Sequence, residues 1–301
     1  MICLASRAKY NLWIEREQRE RVIKYYNTAQ PYYERFWYGK SLGLHYGLWI
    51  EGVSNRQEAI IKENEVLADL AEVKQGNSVL DAGCGVGGSG IWLSREREAK
   101  VVGFNIVNKQ LAIGKNLARK RNLSQSLSFV RGDNQVLPFR SESFNVFWSL
   151  ESIEHATNIN QFTKEAFRVL KPGGRMVVAG TFKGRKDLSD EEKRQIQVGL
   201  SVAGCFTDFR TAKDVCNIGR NVGFVNVRNI DQTEAVMRSS REMTNMSRWG
   251  LPVAKELVAL HAASPLLILN NEWGLYQEGL FKSGATSYNI LVAEKPSNSA
   301  I

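Results

Sequence analysis

The run Val79-Leu80-Asp81-Ala82-Gly83-Cys84-Gly85-Val86-Gly87-Gly88 sets one carboxylate just ahead of a glycine-rich turn. Glycines let a backbone pass close to a ligand, and N–H groups at the start of a following helix can face an anionic group. The spacing of Gly83, Gly85 and Gly88 satisfies G-x-G-x-x-G, which by itself also fits a nicotinamide- or flavin-binding turn. Two residues separate the readings. Asp81 stands where a pyrophosphate would meet a like charge, whereas a ligand bearing an ammonium and a sulfonium gains from an anion there. The end of the next β-rich run offers Asn105, where a dinucleotide ribose expects an acid. A ligand-free strand–helix turn is the remaining alternative.

A second group follows the fourth β-rich run: Leu150-Glu151-Ser152-Ile153-Glu154-His155-Ala156. Glu151 and His155 are candidate general bases at the mouth of the same pocket, against the plainer reading in which they cap a loop. His45, between Leu44 and Tyr46, is a third candidate, though a histidine among aromatics is more often packed than catalytic. Nine rings lie between Tyr25 and Trp49. They form either a lid's own core or the wall of an apolar acceptor pocket, where π faces stabilise a developing carbocation. On the second reading Tyr33, Tyr46 and Trp49 contact the acceptor.

These groups need a scaffold, and from Asn77 onward short β-rich runs alternate with helical ones. The alternation predicts strands at 78–81, 100–105, 127–131, 144–148, 175–181, 224–230 and 288–293. Helices are expected at 6–26, 88–95, 109–121, 160–170, 211–221 and 271–282, with a helical insertion at 233–261 broken by Gly250-Leu251-Pro252. Lys171-Pro172-Gly173-Gly174 reads as a helix terminator, and 182–208 fits no simple strand–helix repeat. The expected fold is α/β: a doubly wound, seven-stranded Rossmann-like sheet with an N-terminal helical lid and a helical cap insertion. Residues 1–50 form the lid, 51–182, 211–232 and 266–301 the core, and 183–210 and 233–265 the insertions.

Composition bounds the partners. The chain has 301 residues and a net charge of +9, but its bases are interleaved with acids, as in Asp190-Glu191-Glu192-Lys193-Arg194. Such alternation marks a solvated helix face and argues against nucleic acid as partner. Four scattered cysteines (Cys3, Cys84, Cys205, Cys216) and three histidines show no metal-ligand spacing, so no metal and reduced thiols are expected. No apolar run approaches the roughly 20 residues of a membrane helix, and Met1–Ala5 is too short for a signal peptide. A cytoplasmic protein is expected; a homo-oligomer stays open, because the N-terminal helix could latch a neighbour's pocket.

The glycine-rich run resembles motif I of the class I S-adenosylmethionine-dependent methyltransferases, and the likeness continues along the chain. Gly103-Phe104-Asn105-Ile106 with Gln110 resembles the second-strand motif of the branch holding sterol, tocopherol and geranyl diphosphate methyltransferases. Gly132-Asp133-Asn134 and Leu137-Pro138-Phe139 resemble the adenine-binding motif, and Arg168–Gly174 the segment before strand five. Upstream, Tyr25-Tyr26-Asn27 through Ser41–Gly47 is similar to the lid segment of the sterol and tocopherol enzymes. The resemblance implies that Asp81, Gly83, Cys84 and Gly85 hold the methionine part of S-adenosylmethionine. It puts Asn105, Ile106 and Gln110 at the ribose and adenine edge, and Asp133 with Asn134 at the adenine amino group. The implied activity is methyl transfer to an apolar small molecule, an isoprenoid or prenylated aromatic, preferably at carbon. N- or O-methylation of an alkaloid, phenol or amine is the alternative, and a non-catalytic S-adenosylmethionine-binding protein a third reading. A base-methylating enzyme would carry Asp-Pro-Pro-Tyr where this chain has Glu151-Ser152-Ile153-Glu154.

Overall fold

The computed structural model describes residues 2–204 and 207–297. Strands β1 (Ser78–Ala82), β2 (Lys100–Asn105), β3 (Leu127–Arg131), β4 (Phe144–Leu150), β5 (Leu170–Lys183), β6 (Val225–Asp231) and β7 (Thr286–Glu294) form one sheet. Their order is β3-β2-β1-β4-β5-β7-β6. Strands β1 to β5 pair in parallel, and β7 lies antiparallel to both its neighbours. The chain reverses direction across the sheet between β1 and β4, which opens a crevice at the strands' carboxyl ends.

Both faces of the sheet are covered because successive residues point to opposite sides. Val79, Val101, Val146, Trp148 and Val177 pack with residues of α2 (Arg56–Leu70), α3 (Gly88–Glu96), α4 (Asn108–Lys120), α8 (Thr233–Ala259) and α9 (Leu266–Lys282). Leu80, Ala82, Phe104, Phe147 and Val178 pack with α5 (Ile159–Val169) and α7 (Ala212–Val222). A third, smaller cluster joins Tyr25 and Ala29 of α1 (Ile2–Phe36) to Val202 and Ala203 of α6 (Asp190–Ala203).

Four helices and one strand differ from the sequence expectation. Helix α1 runs on through Pro31 to Phe36, so five of the nine clustered rings ride on a helix. Helix α2 was not expected; Asn55 caps it by accepting from Glu58 N, worth about 1 kcal/mol. Helix α6 occupies the stretch that fitted no repeat, started by a capping box between Ser189 and Glu192. Helix α8 continues through Gly250-Leu251-Pro252 instead of breaking there. Its packing on α9 outweighs the lost N–H: Thr244 Oγ1 donates to Gly274 O, and Ser247 fills the space a side chain at 274 would need. The Lys171–Gly174 terminator is absorbed into β5 as an irregularity, with Gly173 at φ +74° and its neighbour Gly174 hydrogen-bonded to Lys295.

Candidate active site

One cavity of ≈ 880 Å³ opens at the carboxyl ends of β1, β2 and β4. Its deep end is built by the glycine-rich turn. Gly83 adopts φ +98°, and a side chain there would collide with Ser152. Gly85, at φ +54°, faces open space. Asp81 is 2% exposed, and its Oδ2 has no hydrogen-bond partner, while the Gly90 N–H serves the carboxylate. Burial pushes this carboxyl up from 3.8 to about 7. Burial and the nearby Asp81 also raise the Cys84 thiol, which makes it an inert packing group.

The rim of this end carries the other predicted contacts. Asn105 Nδ2 donates to Gln110 Oε1 at 2.8 Å, and Gln110 Nε2 donates to Gln30 Oε1 of α1 at 3.1 Å. Tyr38 Oη donates to the same Gln30 oxygen at 3.1 Å. Asp133 Oδ1 accepts from Gln135 N at 2.9 Å, and its Oδ2 lies 3.6 Å from Arg19 of α1. Ile106 and Asn134 line the same cavity. Helix α1 therefore lies over the deep end of its own chain's pocket. Gln30 and Arg19 were not singled out from sequence, because only the fold brings α1 against α4 and the loop after β3.

A buried ionisable group in the wall of a cavity is a place for an opposite charge. Asp81 beside the open Gly85 suits a ligand that presents an ammonium next to a carboxylate, with the start of α3 ready for the anion. The residues present fit S-adenosylmethionine.

The outer end is apolar and aromatic. Tyr26, Tyr33, Met243 and Trp273 line it together with Glu151, Glu154, His155 and His45. Glu151 sits at φ +46°, a conformation that costs a non-glycine residue on the order of 1–2 kcal/mol. Its Oε1 accepts from Tyr46 N at 2.8 Å and lies 3.0 Å from Tyr288 Oη. Burial, together with Glu63 and Glu154, drives its pKa well above the carboxylate range. Glu154 Oε1 accepts from Thr181 N at 2.6 Å, but its Oε2 is buried and without a partner. Burial holds that carboxyl at about 7.

His155 Nε2 is 3.0 Å from Tyr26 Oη, and the Ala203 backbone also bonds the ring. Desolvation lowers its pKa to about 4, so the imidazole is neutral at pH 7. His45 Nδ1 meets Glu63 Oε2 at 2.6 Å, and Glu63 Oε1 accepts from Tyr288 Oη at 2.6 Å. The sequence reading missed Glu63, Glu154 and Tyr288. Glu63 belongs to the unexpected α2; the cap signal at Asn55, followed by apolar residues at Ile60 and Leu67, was the available clue.

Tyr33 and Tyr46 line the cavity, Tyr46 with its hydroxyl bonded to Gln277. Trp49 does not. Its Nε1 donates to Ser239 Oγ at 2.7 Å, and Arg238 covers its ring at 3.9 Å. The tryptophan seals α8 against the lid segment, so its expected contact with an acceptor is withdrawn. Among the described residues, no group of three His, Cys, Asp or Glu side chains could hold a metal ion.

Comparison with known proteins now narrows the class. A methyltransferase-domain family matches residues 80–178, from β1 into β5. Methyltransferase GfsG of Streptomyces halstedii is 30% identical over 260 residues, which are 84% of this chain and 87% of that one. The sterol 24-C-methyltransferase of Candida albicans is 32% identical over 204 residues, 66% of this chain and 52% of the relative. The chain thus spans about half the length of the sterol methyltransferases it matches. Among solved structures, the [4+2]-cyclase SpnF superposes with a TM-score of 0.74 at 23% identity, covering 92% of this chain and 96% of that one, a likeness of fold.

The chain belongs to the S-adenosylmethionine-dependent methyltransferases. Over part of their length it is similar to the sterol 24-C-methyltransferases.

Proposed function

We propose that this protein transfers a methyl group to a carbon atom of an apolar, isoprenoid-type acceptor. The observation that carries the reading is one continuous cavity. At one end stands the buried Asp81 carboxylate, whose Oδ2 has no hydrogen-bond partner, and at the other an aromatic chamber with Glu151 and Glu154 in its wall. When bound, S-adenosylmethionine supplies a methyl group activated by positively charged sulfur. Asp81, Gly83, Cys84 and Gly85 hold its amino-acid part; Asn105, Ile106, Gln110, Asp133 and Asn134 hold the nucleoside.

The chamber suits an acceptor that becomes positive as it reacts. An alkene that would take the methyl through its π electrons, the sulfur keeping the electron pair of the broken S–C bond, leaves an electron-deficient neighbouring carbon. A carbon next to that centre must then lose a proton to restore a double bond. Tyr26 and Tyr33 offer π faces to that charge. Glu154 is suited to take the proton, because the residue lines the chamber and its carboxyl titrates near neutrality. His155, neutral and tied to Tyr26, positions that ring rather than receiving a proton at Nε2. Glu151 and the His45–Glu63–Tyr288 network hold the Tyr46 segment against the chamber. Among the described residues, Arg19 is the one Lys or Arg side chain that lines the cavity, and it lies beside Asp133. Among the described residues no Lys or Arg lines the chamber beside Glu151 and Glu154, which disfavours a diphosphate at the reacting end of the acceptor.

N-methylation of an amine uses the same donor and draws on the same carboxylates, so it is the second reading. Incubation with labelled donor and a panel of sterols, prenylquinols, prenyl diphosphates and amines tests both. A methyl placed on carbon by NMR supports the first; a product methylated only at nitrogen or oxygen replaces it. The buried free thiols of Cys84 and Cys216 support a reducing, cytoplasmic setting; Cys3 and Cys205 lie outside the side chains described.

A further inference from the structure

The tip of the α8–α9 hairpin is an exposed apolar surface that coincides with the opening of the cavity. Trp249 is 83% exposed, Leu260 73% and Val253 59%. From Leu257 to Asn271 the chain holds no Asp, Glu, Lys or Arg, while it contains Leu257, Val258, Leu260, Leu266, Leu267, Ile268 and Leu269. All four residues Leu266–Leu269 at the start of α9 stay partly exposed. Monomeric soluble domains rarely display so contiguous an apolar patch without a partner for it.

Two further observations say what covers it. Trp249, Val253 and Leu257 also line the cavity, so the apolar surface runs without interruption into the chamber. The charges bordering the patch are mainly positive: between Asn245 and Asn271 stand Arg248 and Lys255, both exposed, against the single acid Glu256. An apolar tip with an exposed indole and a cationic border matches the interface of an anionic lipid bilayer. No helix among the described residues is long and apolar enough to cross a membrane, so the contact is peripheral.

We propose that the α8–α9 tip docks on the surface of an anionic bilayer, with the cavity opening toward the lipid. An apolar ligand then passes between bilayer and chamber without crossing water, where each exposed CH2 would cost about 0.8 kcal/mol. This purpose rests on the apolar-acceptor reading, but the docking itself does not.

Flotation of the whole chain with phosphatidylcholine vesicles, with and without phosphatidylglycerol, tests it in the absence of any acceptor. The chain should float with the mixed vesicles and much less with the neutral ones. Leu260→Asp, at a residue outside the cavity lining, should weaken flotation about tenfold, and Arg248→Glu with Lys255→Glu should remove the preference for anionic lipid. Unchanged S-adenosylhomocysteine affinity in Leu260→Asp shows that the variant is folded. Flotation that Leu260→Asp leaves intact, or no flotation at all, overturns the proposal. So does a wild-type dimer that this substitution dissociates, since a second copy would then cover the tip. Failure here leaves the methylation assay untouched, and failure there leaves the flotation result standing.

Discussion

The two ends of the cavity are built by different means. The donor end comes from short contiguous runs at neighbouring strand ends, Asp81–Gly88, Asn105–Gln110 and Asp133–Gln135, all within 55 residues of chain. The acceptor end is stitched across the whole molecule: Tyr26 to His155, Tyr25 to Asn270, and Tyr46 to Gln277, the last spanning 231 residues. A site set by strand ends is carried by the sheet itself; a site made of long-range ties depends on every segment that reaches it. The donor end should therefore yield to single substitutions of chemistry, and the acceptor end to substitutions of architecture.

The sharpest test of that division is Asp81→Asn. It keeps the shape and removes the charge, so affinity for S-adenosylhomocysteine in calorimetry should fall by about a hundredfold or more. The unfolding temperature should hold or rise, since an unpaired buried carboxylate is lost. Near-native affinity would mean that Asp81 does not anchor the ligand. Next in size, Glu154→Gln should cut turnover about a hundredfold at unchanged donor affinity, and full activity would strip it of the proton-accepting role.

The pH dependence of donor binding follows from Asp81. Its folded-state pKa of about 7 lies above the ordinary 3.8, so the free protein holds a proton there between those values. Its contribution to stability falls as pH rises through that window. A cationic ligand selects the ionised form, so affinity should rise as pH increases toward 7, by up to about tenfold per unit, and level off above. Calorimetry in buffers of different ionisation enthalpy should register a released proton at about pH 6 and a much smaller release near pH 7.5. His155 acts in the opposite sense on stability: lowered to about 4, it stabilises the fold at neutral pH and loses that contribution below 6.5.

Smaller effects test the acceptor end. Tyr46→Phe leaves Gln277, itself buried, without its hydroxyl partner and should cost about 1–2 kcal/mol of stability, with donor affinity unchanged. Trp49→Phe should cost about 1 kcal/mol through loss of the bond to Ser239, and leave the acceptor KM where it was. A raised KM would return Trp49 to the acceptor wall.

The unequal legibility of the two ends has the same physical origin. The strands were readable because most are short β-rich runs set off by turn residues, although β5 is longer than expected and β6 is largely exposed, and the glycine turn is a local motif. The acceptor end has no such local signature. Pro252 obeys helix propensity in isolation, yet its helix survives because α9 packs along it, which no window of sequence contains. Glu63 looks like a solvated helix residue until the fold buries it between His45 and Tyr288. Trp49 shares a stretch with Tyr46, but the two residues between them turn the chain from the chamber to the outer face of α8.

The tie between Tyr46 and Gln277 also bears on how the protein is made. A growing chain adds residues at about 5–20 per second, so the aromatic segment waits roughly 10–50 s for its last partner to leave the ribosome. During that time Tyr25 to Trp49 form an exposed, ring-rich stretch that cannot bury itself. Newly made chains are thus most prone to aggregate through this stretch, which is among the last to reach its native contacts.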